Sequence, residues 1–96
     1  MATFAARRLQ AMIDNVAHVL GIECLAAAQG IEFLRPLTSS PALEEAHRLL
    51  REVSPSMERD RVFSVDIENA TALIRSGALS RVFRRLPGLP ALWTPA

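Results

Sequence analysis

The sequence predicts an all-α chain, in which one long helix of the kind found at the centre of a bundle is followed by three shorter helices. Three observations support this prediction. The first is a proline-free stretch of helix-favouring residues, Phe4–Gly30. The second is the pair Ser40-Pro41, a frequent helix start, and the third is the helical spacing of apolar residues after it. Half of the 96 residues are hydrophobic, which excludes a disordered chain, and the length allows one domain at most.

The long helix is predicted over residues 3–30. Ala, Leu, Met, Gln, Arg and Glu dominate this stretch, and all of them favour helices. Thr3 is placed to accept hydrogen bonds from the first free N–H groups, and Gly30 is placed to end the helix in a left-handed turn. At about 1.5 Å per residue, such a helix is about 40 Å long.

The second half of this helix, Val16–Ala28, is apolar on nearly every side, because His18 and Glu23 are its only strongly polar side chains. A helix of this kind lies inside a large core or a membrane. We expect no membrane, since the apolar run falls short of about 20 residues and Glu23 interrupts it. A compact chain of this length has a radius of gyration of about 13 Å, too small to cover the helix. We therefore expect other polypeptide around it, in an oligomer or in a larger protein.

The second helix is predicted over residues 40–53. Ser40 is a favoured N-cap residue, Pro41 suits the first helical position, and Glu44 lies where the helix dipole favours negative charge. A proline two residues after Val53 ends the helix. The apolar face consists of Leu43, Ala46, Leu49, Leu50 and Val53.

The remaining chain predicts two further helices and a tail. The third helix covers residues 66–76 with Asp66 as its N-cap, and a Ser-Gly pair separates it from a short fourth helix over residues 78–86. Three prolines make residues 87–96 an irregular tail. Val62-Phe63 is a weak indication of a strand.

Candidate catalytic and metal-binding residues are few. His18 and Cys24 are six residues apart, which is not the helical spacing of three or four that brings two ligands together, and His47 is the only other imidazole. The apolar neighbours of Cys24 would raise its thiol pKa, which is unfavourable for a nucleophile. A carboxylate in an apolar stretch must be paired, solvated or protonated, and for Glu23 we favour pairing with a neighbouring subunit over catalysis. We predict no catalytic, cofactor-binding or metal-binding residue.

Charge and cysteine content narrow the possible partners and location. The net charge is +1, and the small basic group Arg81, Arg84 and Arg85 has no interleaved aromatic residues, so we expect no nucleic-acid binding. The single cysteine excludes an internal disulfide and fits a reducing cytoplasm. The first residues lack the pattern of a signal peptide.

Several stretches, in their order along the chain, resemble the carboxyl end of histidine ammonia-lyase, a member of the aromatic amino-acid ammonia-lyase family. These stretches are AHVLGIECLAAAQGIEF, RPL, TSSPALE, DR, DIE and LIRSG, which begin at Ala17, Arg35, Thr38, Asp60, Asp66 and Leu73. The resemblance covers nearly the whole chain, up to about Leu86. It implies a mostly helical tetramer whose long central helices pack into a large bundle, with residues 3–30 as one of them.

The resemblance also implies an activity, namely elimination of ammonia from L-histidine to give urocanate. The electrophile of the family is a methylidene-imidazolone made from an Ala-Ser-Gly triad. This chain contains no such triad and no tyrosine, and Arg75-Ser76-Gly77 is a different sequence. The catalytic glutamate of the family lies just ahead of the position matched by Met1. We therefore expect an inactive, structural segment that packs on helices of the same or an intact lyase subunit. The alternative is a free-standing helical oligomerisation protein derived from such an enzyme.

Overall fold

The computed structural model describes residues 1–85, which form four helices. They are α1 (Ala2–Phe33), α2 (Pro41–Val53), α3 (Ser64–Arg75) and α4 (Ala78–Arg84). Residues 1–85 contain no strand, so the weak strand signal at Val62-Phe63 was wrong. The prediction of an all-α chain with one long and three shorter helices is confirmed. The expected tail, 87–96, and the last residue of the expected fourth helix lie outside the described residues.

α1 extends beyond both of its predicted ends. Met1 is its N-cap residue, so Thr3 lies inside the helix and does not cap it. The helix passes through Gly30, whose φ is not positive, and ends at Phe33. One glycine costs a helix only about 1 kcal/mol, and the good helix formers on either side of Gly30 outweigh that cost. The 32 residues of α1 span about 48 Å, and the radius of gyration is 16.1 Å, above the value of about 13 Å for a compact chain.

A tight corner joins α1 to α2. Ser40 is the N-cap of α2, and its hydroxyl accepts from the N–H of Leu43 at 3.3 Å. Arg35 donates two hydrogen bonds to the Glu44 carboxylate, at 2.8 and 2.7 Å, and the N–H of Ser39 donates to the same carboxylate at 2.8 Å. The Arg35 and Ser39 hydrogen bonds lower the pKa of Glu44 to about 2. The corner is thus held by a charged pair.

α3 starts two residues earlier than the sequence predicts, and the assignment of Asp66 as its N-cap was wrong. The N-cap residue is Phe63, which makes no side-chain cap hydrogen bond, and Asp66 lies in the first turn. The Asp66 carboxylate turns inward, where it accepts from the buried Ser54 hydroxyl and from Arg61. These tertiary partners replace the local N–H groups that a cap would bind. Gly77, at φ 80°, then turns the chain into α4.

α3 packs antiparallel against the middle of α1. Its last residue, Arg75, bonds Asp14, and Thr71 lies against Gly21, one to two turns further along α1. α2 packs on these two helices near the carboxyl end of α1, where a small core forms. The core consists of Ala28, Leu50 and Ala70, with Cys24, Leu25, Val53 and Leu73 packed against it.

Candidate interaction surface

The first third of α1 is exposed along its whole length. Every residue from Met1 to Ile13 is exposed, because α3 ends where Arg75 reaches Asp14. Beyond Asp14, α3 covers only one side of α1, and the buried residues on that side are Ala17, Gly21 and Ala28. The helix therefore extends out of the rest of the structure and is half bare along the remainder.

The side of α1 that is turned away from α3 is a continuous apolar surface, here called the uncovered face. Its residues are Leu9, Met12, Ile13, Val16, Val19 and Leu20, each between 41% and 55% exposed. At about 100° per residue, these side chains occupy a sector about 120° wide. Contiguous apolar surfaces of this kind mark places where another molecule binds. The uncovered face is the strongest candidate for a functional site in residues 1–85.

Glu23 lies within the sector of the uncovered face, one turn beyond Val19 and Leu20. Its side chain is exposed, and within residues 1–85 it makes no ion pair or hydrogen bond. Water solvates the carboxylate as long as nothing covers the face. Any partner that covers it must supply a cation or a hydrogen-bond donor at this position. The pairing of Glu23 with a neighbouring subunit stays a prediction.

A polar cluster joins the end of α1 to α2 and to the loop after it. One oxygen of Glu32 accepts from Arg51 at 2.6 Å and from Ser56 at 2.8 Å, and it lies 3.0 Å from Nε2 of His47. Burial alone would raise the pKa of Glu32, but the hydrogen bonds from Arg51 and Ser56 outweigh it and the pKa is lowered. The cluster is satisfied internally, and its geometry is that of a helix-joining contact.

A second polar cluster pins the loop between α2 and α3. The Arg61 guanidinium donates to both oxygens of Asp66, at 2.9 and 3.0 Å, and to the carbonyl of Pro55 at 2.5 Å. Ser54, which is 1% exposed, donates to Asp66 at 2.6 Å. Arg61 and then Ser54 lower the pKa of Asp66. The sequence pattern did not indicate Ser54, because nothing local distinguishes it from an ordinary residue at a helix end.

The candidate metal ligands are not assembled into a site. His18 directs Nδ1 to the carbonyl of Asp14 in its own helix, at 2.8 Å, while His47 lies at Glu32. No group of three potential ligands occurs among the described residues. Burial, and then the charge of Glu23, raises the pKa of the Cys24 thiol, so this cysteine is a poor nucleophile at neutral pH.

Cys24 and His47 do share one cavity of about 180 Å³ between α1, α2 and α4. Its walls are almost entirely apolar, and the lining residues are Cys24, Ala27, Ala28, Ile31, Leu43, Ala46, His47, Leu50, Leu79 and Phe83. The cavity offers no convergent set of polar groups that would orient a substrate. It is an apolar gap beside the core.

By length and composition α1 is also able to cross a membrane. It contains an 18-residue window with a mean hydropathy of 1.4, of which only 17% is buried. Central helices of soluble proteins and N-terminal signal sequences meet the same requirements. This hydropathy reflects the same exposed apolar side chains that form the uncovered face, and burial of such surface is favourable.

The sequence of this chain is similar to those of known proteins. The family model of aromatic amino acid lyases matches residues 1–52. The histidine ammonia-lyase of Desulfotalea psychrophila is 52% identical over 85 residues, which are 88% of this chain and 17% of that protein. The histidine ammonia-lyase of Vibrio cholerae is 51% identical over 82 residues, 85% of this chain and 16% of that protein.

A solved structure gives the same result for the fold. The crystal structure of histidine ammonia-lyase from Trypanosoma cruzi superposes on this chain with a TM-score of 0.85 at 42% sequence identity. The match covers 91% of this chain and 17% of that one. The chain therefore spans about a sixth of the length of the relatives that it matches.

Proposed function

This chain belongs to the aromatic amino acid lyase family, and on that premise we propose that it is the carboxyl-terminal packing segment of a histidine ammonia-lyase. The enzyme eliminates ammonia from L-histidine to give urocanate, a step of histidine catabolism. The observation that supports a packing role most directly is the uncovered face of α1. A helix of 32 residues that is bare on one side and exposed all round up to Ile13 needs cover from elsewhere.

The proposed cover is protein. The partners are other helices of the same subunit or of an intact lyase subunit, in a homo-oligomer that is a tetramer in this family. Lipid is a poor cover because Glu23 lies in the uncovered face, and a charge at membrane depth is costly. A nucleic-acid partner has no support in a net charge of +1 with interspersed acids and bases. The proposed location is the cytoplasm.

The proposed role is structural and not catalytic. These 96 residues include neither an Ala-Ser-Gly triad nor a tyrosine, so the electrophile of the family cannot form from them. The residues of this chain hold helices together, through the polar cluster around Glu32, the Arg61–Asp66 pair and the small core. Incubation of the purified chain with L-histidine should produce no urocanate absorbance, whereas an intact histidine ammonia-lyase assayed in parallel should. Urocanate formation by the chain alone would refute the structural role.

The uncovered face also favours a second candidate function, a free-standing helical oligomerisation protein that packs on an intact lyase. The two functions differ in the solution state that they require. A soluble, cooperatively unfolding helical oligomer supports the free-standing protein, whereas aggregation or a molten monomer supports a segment of a larger subunit. Sedimentation equilibrium together with thermal unfolding followed by circular dichroism measures this difference.

A further inference from the structure

The apolar cavity between α1, α2 and α4 has room for one aromatic side chain. Its volume is about 180 Å³, and its walls are almost entirely apolar. An apolar cavity of about 150 Å³ holds one benzene molecule, so this cavity accommodates the somewhat larger indole ring of a tryptophan. The cavity is open on one side, which allows the polar N–H group of an indole to stay in contact with water.

The chain leaves α4 next to this cavity. α4 contributes Leu79 and Phe83 to the cavity wall. Phe83 is two residues before Arg85, about 3 Å along a helix axis. The segment that follows, residues 86–96, therefore starts beside the wall. A segment tethered through so short a linker has a roughly millimolar effective concentration at its target, whatever the concentration of the protein.

The composition of residues 86–96 suits an apolar site. All charged residues of the chain lie within residues 1–85, so this segment can enter the cavity without removing a charge from water. It includes three leucines and Trp93, the only tryptophan of the chain. The pair Pro87-Gly88 favours a type II turn, which reverses the direction of a chain. The eight residues from Arg85 to Trp93 reach up to about 26 Å when extended, which is ample for a return to α4.

We propose that residues 86–96 fold back over α4 and that the indole of Trp93 occupies the apolar cavity, beside Cys24. The contact ties α4, a helix of only seven residues, to α1 and α2, and it closes off the Cys24 thiol. The cavity is lined by the last third of α1, whereas the uncovered face lies nearer its start, so the contact is separate from the packing function. The resemblance to histidine ammonia-lyase extends to about Leu86 and implies nothing for this segment.

The reactivity of Cys24 tests the occupation of the cavity. This residue lies in the cavity wall and is the only cysteine, so its reaction with N-ethylmaleimide at fixed pH reports on access to the cavity. Trp93→Ala in the full chain should accelerate the reaction roughly tenfold or more, because the burial of one large apolar side chain is lost. Trp93→Phe should retain most of the protection, since it keeps an aromatic ring. An unchanged rate in Trp93→Ala would overturn the proposal.

A thiol outside the cavity provides the matched control. Ala26 is exposed on α1, two residues from Cys24, and it does not line the cavity. In the chain with Cys24→Ala and Ala26→Cys, the introduced thiol should react at the same rate with and without Trp93→Ala. Equal acceleration of both thiols would indicate a general loosening of α1 and would also overturn the proposal.

The fluorescence of Trp93 gives a second readout. Emission from the native chain should lie at a shorter wavelength than emission from the chain unfolded in urea, and acrylamide should quench it less. Attachment of N-ethylmaleimide to Cys24 should reduce both differences, because the adduct takes up the space of the indole. Native emission identical to that in urea would contradict the burial of Trp93.

The concentration dependence of the protection separates the possible occupants of the cavity. A contact within one chain protects Cys24 equally at every protein concentration. Protection that rises with concentration would assign the cavity to a second copy of the chain. A thiol that reacts as fast as in urea would assign it to polypeptide outside this chain. Either of these two results would overturn the proposal and leave the packing function intact.

Discussion

At Gly21 the backbone of α1 lies close against α3, and a methyl group added there should destabilise the protein. A Cβ atom at Gly21 would lie 2.8 Å from Oγ1 of Thr71, 3.2 Å from the Thr71 backbone nitrogen and 3.5 Å from the carbonyl oxygen of Ile67. Burial and a hydrogen bond hold the Thr71 hydroxyl in place. It is buried, and it donates to the Ile67 carbonyl at 2.7 Å.

Two opposing effects set the magnitude for Gly21→Ala. Alanine favours a helix interior over glycine by about 1 kcal/mol. Overpacking a closed contact costs about 1–3 kcal/mol. We expect a net loss of roughly 1 kcal/mol in the free energy of unfolding. Gly30→Ala is the matched control, because it lies in the same helix and a Cβ there would meet nothing within 4 Å. That variant should gain up to about 1 kcal/mol.

Urea unfolding followed by circular dichroism at 222 nm measures both variants, at one protein concentration because self-association adds to apparent stability. The informative quantity is the difference between Gly21→Ala and Gly30→Ala, since helix propensity cancels from it. If Gly21→Ala stabilises as much as Gly30→Ala, the close packing of α1 on α3 is refuted. Thr71→Ala provides a further check, because its removal of the hydroxyl should reduce the cost of Gly21→Ala by at least about 0.5 kcal/mol.

Two other predictions concern the polar contacts. Asp66→Asn should lower the free energy of unfolding by about 2 kcal/mol, because it leaves Arg61 without its buried carboxylate, and an unchanged urea midpoint would contradict the role of this pair. The Glu44 carboxylate, with its pKa lowered to about 2 by Arg35, stabilises the fold above its ordinary pKa of 4.5, and this contribution should disappear as the pH falls from about 4.5 to about 2. A carboxyl NMR titration should show this pKa, Glu44→Gln should remove that part of the pH dependence, and a midpoint near 4.5 would disprove the contact with Arg35.

Signals that act over one or two turns were readable from the sequence. Ser40 and Pro41 mark the start of α2 because a side-chain cap and a fixed φ act on the nearest backbone groups. The all-helical class follows from propensity and periodicity in the same local way. The excess of apolar residues in the second half of α1 likewise indicated a helix that its own chain does not cover. Within residues 1–85, Val16, Val19 and Leu20 are indeed exposed.

Local signals failed at two positions, for different reasons. Gly30 is a favourable helix stop and Asp66 a favourable helix cap. The helix formers on either side of Gly30 nevertheless extend α1 past it. Asp66 instead binds the buried Ser54 hydroxyl and the exposed Arg61 guanidinium. The candidate interaction surface was likewise only partly predictable from the sequence. The sequence identified α1 as apolar, but it did not indicate which side would be bare.

By itself, then, the sequence determined the helical class and the dominance of α1, because propensity, spacing and total apolar content are properties of neighbouring residues. Only the tertiary structure decided which side of α1 is covered. That choice depends on the fit of Thr71 against Gly21, which are 50 positions apart in the sequence. It also depends on the ion pair between Asp14 and Arg75, which are 61 positions apart. Steric fit and charge pairing over such separations exist only after the chain has folded.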